Sequence, residues 1–123
     1  MLAIDSERLV RMVNGDPEFQ SAARHWNATV GLNLGSGTLV LTFKDGALAD
    51  VGPGDVSSAS IRMTASEQDW REFLKRVPKP FYQGMLPAVA RQGFALDGDL
   101  EAWTAYYGAL SRVFTLLRRA MNA

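Results

Sequence analysis

Cysteine is absent from this 123-residue chain, and histidine occurs once, at His25. Without thiols there are no disulfides and no thiolate metal sites, a composition that suits an intracellular protein. Neither sign of charge is in excess: thirteen Lys and Arg balance thirteen Asp and Glu. Nucleic-acid binders carry a basic surplus as a rule, so no nucleic-acid partner is expected. Long apolar runs are missing as well, and no stretch approaches the roughly 18 residues of a spanning helix. The opening "MLAIDSERLVRM" is interrupted by Asp5, Glu7 and Arg8, where a secretory segment would be apolar. The last residues, "MNA", are not a peroxisomal address. No Gly-rich phosphate loop, nucleophile elbow or metal-ligand spacing occurs. These absences leave a cytoplasmic protein without metal or cofactor as the expectation.

What is present is enough for a core. Apolar residues make up 47% of the chain and charged residues 21%, and the length fits one domain over residues 1–123. Leu2, Ile4, Leu9, Val10 and Val13 fit a short opening helix that stops at Asn14-Gly15. Asp16-Pro17-Glu18 then supplies a cap, a pre-set first turn and an early carboxylate for a helix over Pro17–His25. From Ala28 the period changes from 3.6 to 2. Ala28, Val30, Leu32 and Leu34 alternate with polar or small residues, as do Leu39, Leu41 and Phe43 beyond the "GSG" turn. Asp45-Gly46 is a hairpin signal, because Gly tolerates the positive φ of a type I′ turn. A third strand over Ala47–Val51 and a fourth carrying Ile61 and Met63 complete an expected antiparallel meander.

Ser66-Glu67-Gln68-Asp69 reads as a capping box before a helix with Trp70, Phe73 and Leu74 on its apolar stripe. Pro78 and Pro80 end it. A helix over Phe81–Arg91 follows, with Pro87 expected to kink or shorten it. In "GFALDGD" (Gly93–Asp99), Phe94 and Leu96 alternate with Ala95 and Asp97, as in a short fifth strand. One last helix then repeats Leu100, Trp103, Tyr107, Leu110, Phe114, Leu117 and Met121 at spacings of three and four. Asp97 and Asp99 could share a hard cation, but no further ligand stands at the right spacing. Turn and helix cap explain them with less.

The order of these elements resembles the sterol carrier protein family. The matching stretches are "FKDG" (Phe43–Gly46), "IRMTASEQDWREFL" (Ile61–Leu74) and "GFALDGD" before the C-terminal helix, spanning about Leu9 to Leu117. The resemblance implies an α+β fold, with a five-stranded, mainly antiparallel sheet and about five helices on one face. The missing peroxisomal tail points to a bacterial stand-alone type. The family's function implies an apolar tunnel between sheet and helices that takes a fatty acid, acyl chain or sterol-like molecule.

Residues suited to such a tunnel are Ile61, Trp70, Phe73, Phe81, Tyr82, Met85, Phe94, Trp103, Tyr107 and Phe114, because aromatic and Met side chains line apolar pockets as well as fill cores. Phe73 and Met85 are expected to face Trp103, Tyr107 and Phe114 across it. In "KRVPKPFY" (Lys75–Tyr82), Lys75, Arg76, Lys79 and Phe81 are compatible with transient contact to an anionic membrane, or with an acidic head group. Two rival readings stand beside the container. One is an enzyme using His25 or Asp97 as acid–base group on a small hydrophobic substrate, although neither residue shows an orienting partner. The other is an assembly domain that forms a homodimer.

Overall fold

The alternating segments form β1 (Ala28–Asn33), β2 (Thr38–Lys44), β3 (Ala47–Gly52), β4 (Ile61–Thr64) and β5 (Ala95–Gly98). This is a computed structural model, which describes residues 2–122. The strands make one sheet in the order β3-β2-β1-β4-β5. Its register aligns Val51, Leu41, Val30 and Ile61 in one row, and Leu39, Leu32, Met63 and Leu96 in the next. All of these but Leu96 are buried, and they share a single core with the apolar residues of the helices. Full burial of such side chains contributes about 1.5–3 kcal/mol each, which fixes the register because a one-residue slip would expose them.

The expected meander is corrected at one junction. β4 does not follow β3 in the sheet but pairs with β1, in parallel, so the sheet is mixed. The chain reaches β4 through a short 3-10 turn at Val56–Ser58, packed on β1 and β2. Gly31 makes this crossing feasible, since a Cβ there would come within 2.8 Å of the Val56 Cβ. Ser60 then locks the arrival. Its hydroxyl donates to the Thr29 carbonyl at 2.9 Å and accepts from the Thr29 amide at 3.1 Å, while its own amide donates to the Thr29 hydroxyl at 2.9 Å.

Among the described residues, six helices accompany the sheet: α1 (Ser6–Asn14), α2 (Pro17–Ala22), α3 (Glu67–Phe73), α4 (Met85–Arg91), α5 (Leu100–Ala105) and α6 (Tyr107–Met121). Capping follows the sequence signals. Asp16, Ser66 and Asp99 accept the amides of Phe19, Asp69 and Ala102. Three boundaries differ from expectation. α2 stops at Ala22 because Trp26 is drawn into the core and His25 turns through a left-handed φ of 63°. α4 begins at Met85, leaving Phe81 in the preceding loop at a φ of 69°. Pro87 sits in its first turn, where a missing N–H loses no helical bond, so of the two expected effects it shortens the helix and does not kink it. The single last helix is two, divided at Tyr106. There the ring stacks on Trp26 with centroids 5.1 Å apart, and Trp26 in turn stacks on Phe43 at 4.3 Å.

The D-G-D stretch is punctuation between elements. Gly98, at a φ of 102°, turns the chain, Asp99 caps α5, and Asp97 pairs with Arg62 across the β4–β5 ladder at 2.9 Å. Replacing Asp99 with Ala should cost about 1 kcal/mol of stability through the lost cap. Wild-type thermal melts with and without a chelator should coincide; a large chelator-dependent drop would show a metal bound to the folded state.

A bidentate ion pair ties α2 to α6. Arg112 donates through Nε and Nη2 to the two Asp16 oxygens, each at 2.9 Å, with Glu18 also 2.9 Å from Nε. Hydrogen bonding to Arg112 holds the Asp16 carboxyl below its ordinary value. A carboxylate with a depressed folded pKa stabilises the protein above its unfolded pKa, and that contribution is lost as pH falls through the folded one. Asp16→Asn keeps a capping oxygen and removes the charge. It should lower stability by about 1.5–3 kcal/mol at pH 7, and urea titrations of variant and wild type should converge as the pH drops below the carboxylate range.

Candidate functional site

Between the sheet and the helices, α3, α4, α6 and the segment entering β5 bring together most of the apolar residues singled out in the sequence. Trp70 is fully buried and its indole N–H donates to the Asn33 carbonyl at 2.8 Å, which pins α3 to the end of β1. Around it the rings of Phe73, Phe94 and Phe114 lie with centroids 5.7, 5.0 and 6.0 Å away. Phe73 also meets Phe94 at 5.3 Å and Phe114 edge-on at 5.2 Å. Gly93, at a φ of 73°, turns the chain so that Phe94 enters this cluster just before β5. Ile61 and Met85 are buried in the same core.

Tyr82 closes one side of the cluster, half-buried, its ring 6.5 Å from Phe94 and its hydroxyl donating to Asp69 at 2.8 Å. That bond to a carboxylate raises the Tyr82 pKa. Trp103 and Tyr107 form a separate edge-on pair at 5.1 Å. The Tyr107 hydroxyl accepts a hydrogen bond from the amide of Leu86, in the first turn of α4, at 3.1 Å. Phe81 is placed elsewhere: it is 42% exposed, with the Arg91 guanidinium over its ring at 5.0 Å. The rings themselves fill the space that the resemblance assigns to a tunnel. Beside them, a small, partly open pocket lined by Phe73, Gly84, Met85, Phe114, Thr115 and Arg118 measures about 10 Å³, room for a single water.

The cover over this cluster is lightly held. α4 has no side-chain cap at Gly84, and it inserts Met85 and Ala88 while leaving Leu86 58% exposed. Two side-chain hydrogen bonds tie it to its surroundings: the Leu86 amide to the Tyr107 hydroxyl, and the Gln92 side chain to the Pro80 carbonyl at 3.2 Å. The loop before it carries Lys75 and Lys79, which stand 2.7 and 4.0 Å from the buried Glu72, so two of its three cations have a local counter-charge. Hydrogen bonding to Lys75 lowers the Glu72 pKa.

One functional candidate was invisible in the sequence. Arg118, on the last turns of α6, crosses beneath the loop and donates to the carbonyls of Phe73 and Tyr82, its guanidinium 5.4 Å over the Phe73 ring. Burial lowers its pKa. In the sequence it is one basic residue of the helix's C-terminal turns, a position explained by the helix dipole alone. The acid–base candidates do not come together. His25 is exposed beside Asp45 at the β2–β3 turn, whereas Asp97 lies on the opposite edge strand, its carboxyl held below the ordinary value by Arg62.

No protein-family model matches the sequence, and no curated protein matches it. Solved structures do. "Crystal structure of sterol carrier protein 2" superposes with a TM-score of 0.72 at 21% identity, covering 93% of this chain and 93% of that one. A solution structure from Thermus thermophilus, of a conserved hypothetical protein described as "possibly sterol carrier protein", gives 0.68 at 21% identity over 92% and 83%. "UbiJ-SCP2 Ubiquinone synthesis protein" gives 0.58 at 19% identity over 86% and 88%. With its five-stranded mixed sheet and six helices, the chain has the sterol carrier protein fold.

Proposed function

We propose that this protein binds an apolar chain, such as a fatty acid, an acyl chain or a sterol-like molecule, between its sheet and the α4 cover. The observation that carries the reading is a buried cluster of aromatic side chains roofed by a helix with few polar ties. Such rings are exchangeable walls. A ligand that separates them replaces one apolar contact by another, while the Leu86 amide, once released from Tyr107, is free to bond water. The gross gain is about 0.8 kcal/mol per buried methylene, reduced by the cost of ordering the ligand and moving the cover. The likeness to sterol carrier protein 2 supports the same reading.

A brief membrane encounter would deliver such a ligand. The loop ahead of α4 exposes Val77 and Phe81, with Lys75, Arg76 and Lys79 around them. Since Glu72 offsets two of those charges, the contact is expected to be weak, Arg76 supplying the uncompensated one at about 1 kcal/mol near an anionic surface.

A fluorescent fatty-acid analogue should therefore bind the wild-type protein saturably. Tyr107→Phe removes the hydroxyl that holds α4 and should cost no more than about 1 kcal/mol in stability. It should speed probe association several-fold in stopped-flow mixing. A folded wild type that takes up no apolar probe would sink the container reading; equal association rates would show that entry does not pass under α4.

A further inference from the structure

Arg76, Arg118 and Arg119 line, with Thr115 and Asn122, an open cleft of about 470 Å³ between the loop after α3 and the last turns of α6. Among the described residues, no carboxylate lies within ion-pair distance of any of them. Arg62, Arg71, Lys75, Lys79 and Arg112 have acidic partners, whereas other cations such as Arg8, Arg24 and Lys44 show none either among the described residues; what sets Arg76, Arg118 and Arg119 apart is that they line one cleft together. Arg118 directs Nε and Nη2 to the Phe73 and Tyr82 carbonyls, which leaves both Nη1 hydrogens without an acceptor among the described residues. The C-terminus of α6 carries the negative end of the helix dipole; Asn122 satisfies the Arg118 and Arg119 carbonyls there, and the three full positive charges outweigh the partial charge that remains.

The cleft also adjoins the apolar cluster. Thr115 and Arg118 line both the cleft and the small pocket lined by Phe73, Met85 and Phe114. We propose that the cleft receives the anionic head group of an amphiphile, a carboxylate or phosphate, while its chain passes beneath Arg118 between Phe73 and Phe114. This rests on the apolar-chain reading above and makes it more specific. The ligand class is a charged amphiphile instead of a neutral lipid, and Arg118 marks the border between polar and apolar halves. An anion facing three unpaired guanidinium groups gains charge-assisted hydrogen bonds that a neutral hydroxyl does not match.

The test uses palmitate, hexadecanol and inorganic phosphate with wild type and the double variant Arg76→Glu/Arg119→Glu. Both side chains are exposed and make no side-chain hydrogen bond or ion pair among the described residues, whereas Arg118 is left intact because it ties down two carbonyls. Titration calorimetry at low salt should show wild type preferring palmitate to hexadecanol by about tenfold, equivalent to about 1.4 kcal/mol. The double variant should lose that preference while keeping its hexadecanol affinity. An equal preference in wild type and variant would overturn the head-group site while leaving the apolar site standing. Phosphate binding as tightly as palmitate would show a site for free anions and overturn the amphiphile. Failure of wild type to bind either chain would overturn the apolar-site reading itself, and this one with it.

Discussion

The hydrogen bond from the Trp70 indole to the Asn33 carbonyl is the constraint on which the architecture turns. It fastens the first helix after the crossover to the end of the central strand, and the same carbonyl accepts the Ala65 amide at 3.3 Å as the chain leaves β4. A buried indole N–H without an acceptor costs about 1–3 kcal/mol, so the ring has one low-energy place. Once Trp70 is fixed, Phe73, Phe94 and Phe114 have a surface to pack on, and three elements far apart in sequence acquire their positions. Trp26 and Trp103 differ, since their buried indole nitrogens find no acceptor among the described residues. Those two rings are held by core packing with stacking and edge contacts, without a side-chain hydrogen bond among the described residues.

Local chemistry was legible in the sequence wherever it was decided locally. Alternation located four strands, Asp45-Gly46 located a hairpin, and the caps Asp16, Ser66 and Asp99 stood where their spacing placed them. What stayed hidden was decided by contacts across the chain. Nothing local distinguishes β4 beside β3 from β4 beside β1; Gly31 and the Ser60–Thr29 bonds settle it, and they act at long range. The uninterrupted apolar stripe from Leu100 to Met121 concealed the break at Tyr106, because the ring stacking on Trp26 comes from another region. Phe81 had the right chemistry for the candidate site and the wrong backbone, its left-handed φ turning it out against Arg91.

Charge is distributed unevenly. Zero net charge could describe a surface of evenly mixed pairs, but the pairs are gathered at particular places: Arg112 with Asp16 and Glu18, Arg62 with Asp97, Arg71 with Glu67, and both lysines of the loop with Glu72. A group of cations without such partners is thereby left at one end of α6. Exposed pairs of this kind contribute little to stability individually. Their larger effect is to leave net positive charge at the cleft, offset only at longer range where Arg119 acts on the Asp16 carboxylate, and it is this charge that the proposed head-group site would use.

Close contact among the rings is consistent with a container, for a thermodynamic reason. An empty apolar cavity forfeits dispersion contacts along its whole lining, so an unliganded protein with a movable cover is more stable with its walls touching. Here the walls are rings that pair at 5.0–6.0 Å, worth about 0.5–1.5 kcal/mol per pair beyond area burial. A chain entering between them breaks several such pairs but covers the same faces with methylenes. Under the proposed reading the states with and without ligand would differ mainly in how α4 is seated, and α4 is the helix with a glycine N-cap and a solvent-replaceable amide bond. Weak polar attachment of that one helix is therefore what would let a closely packed aromatic core serve as the proposed binding site.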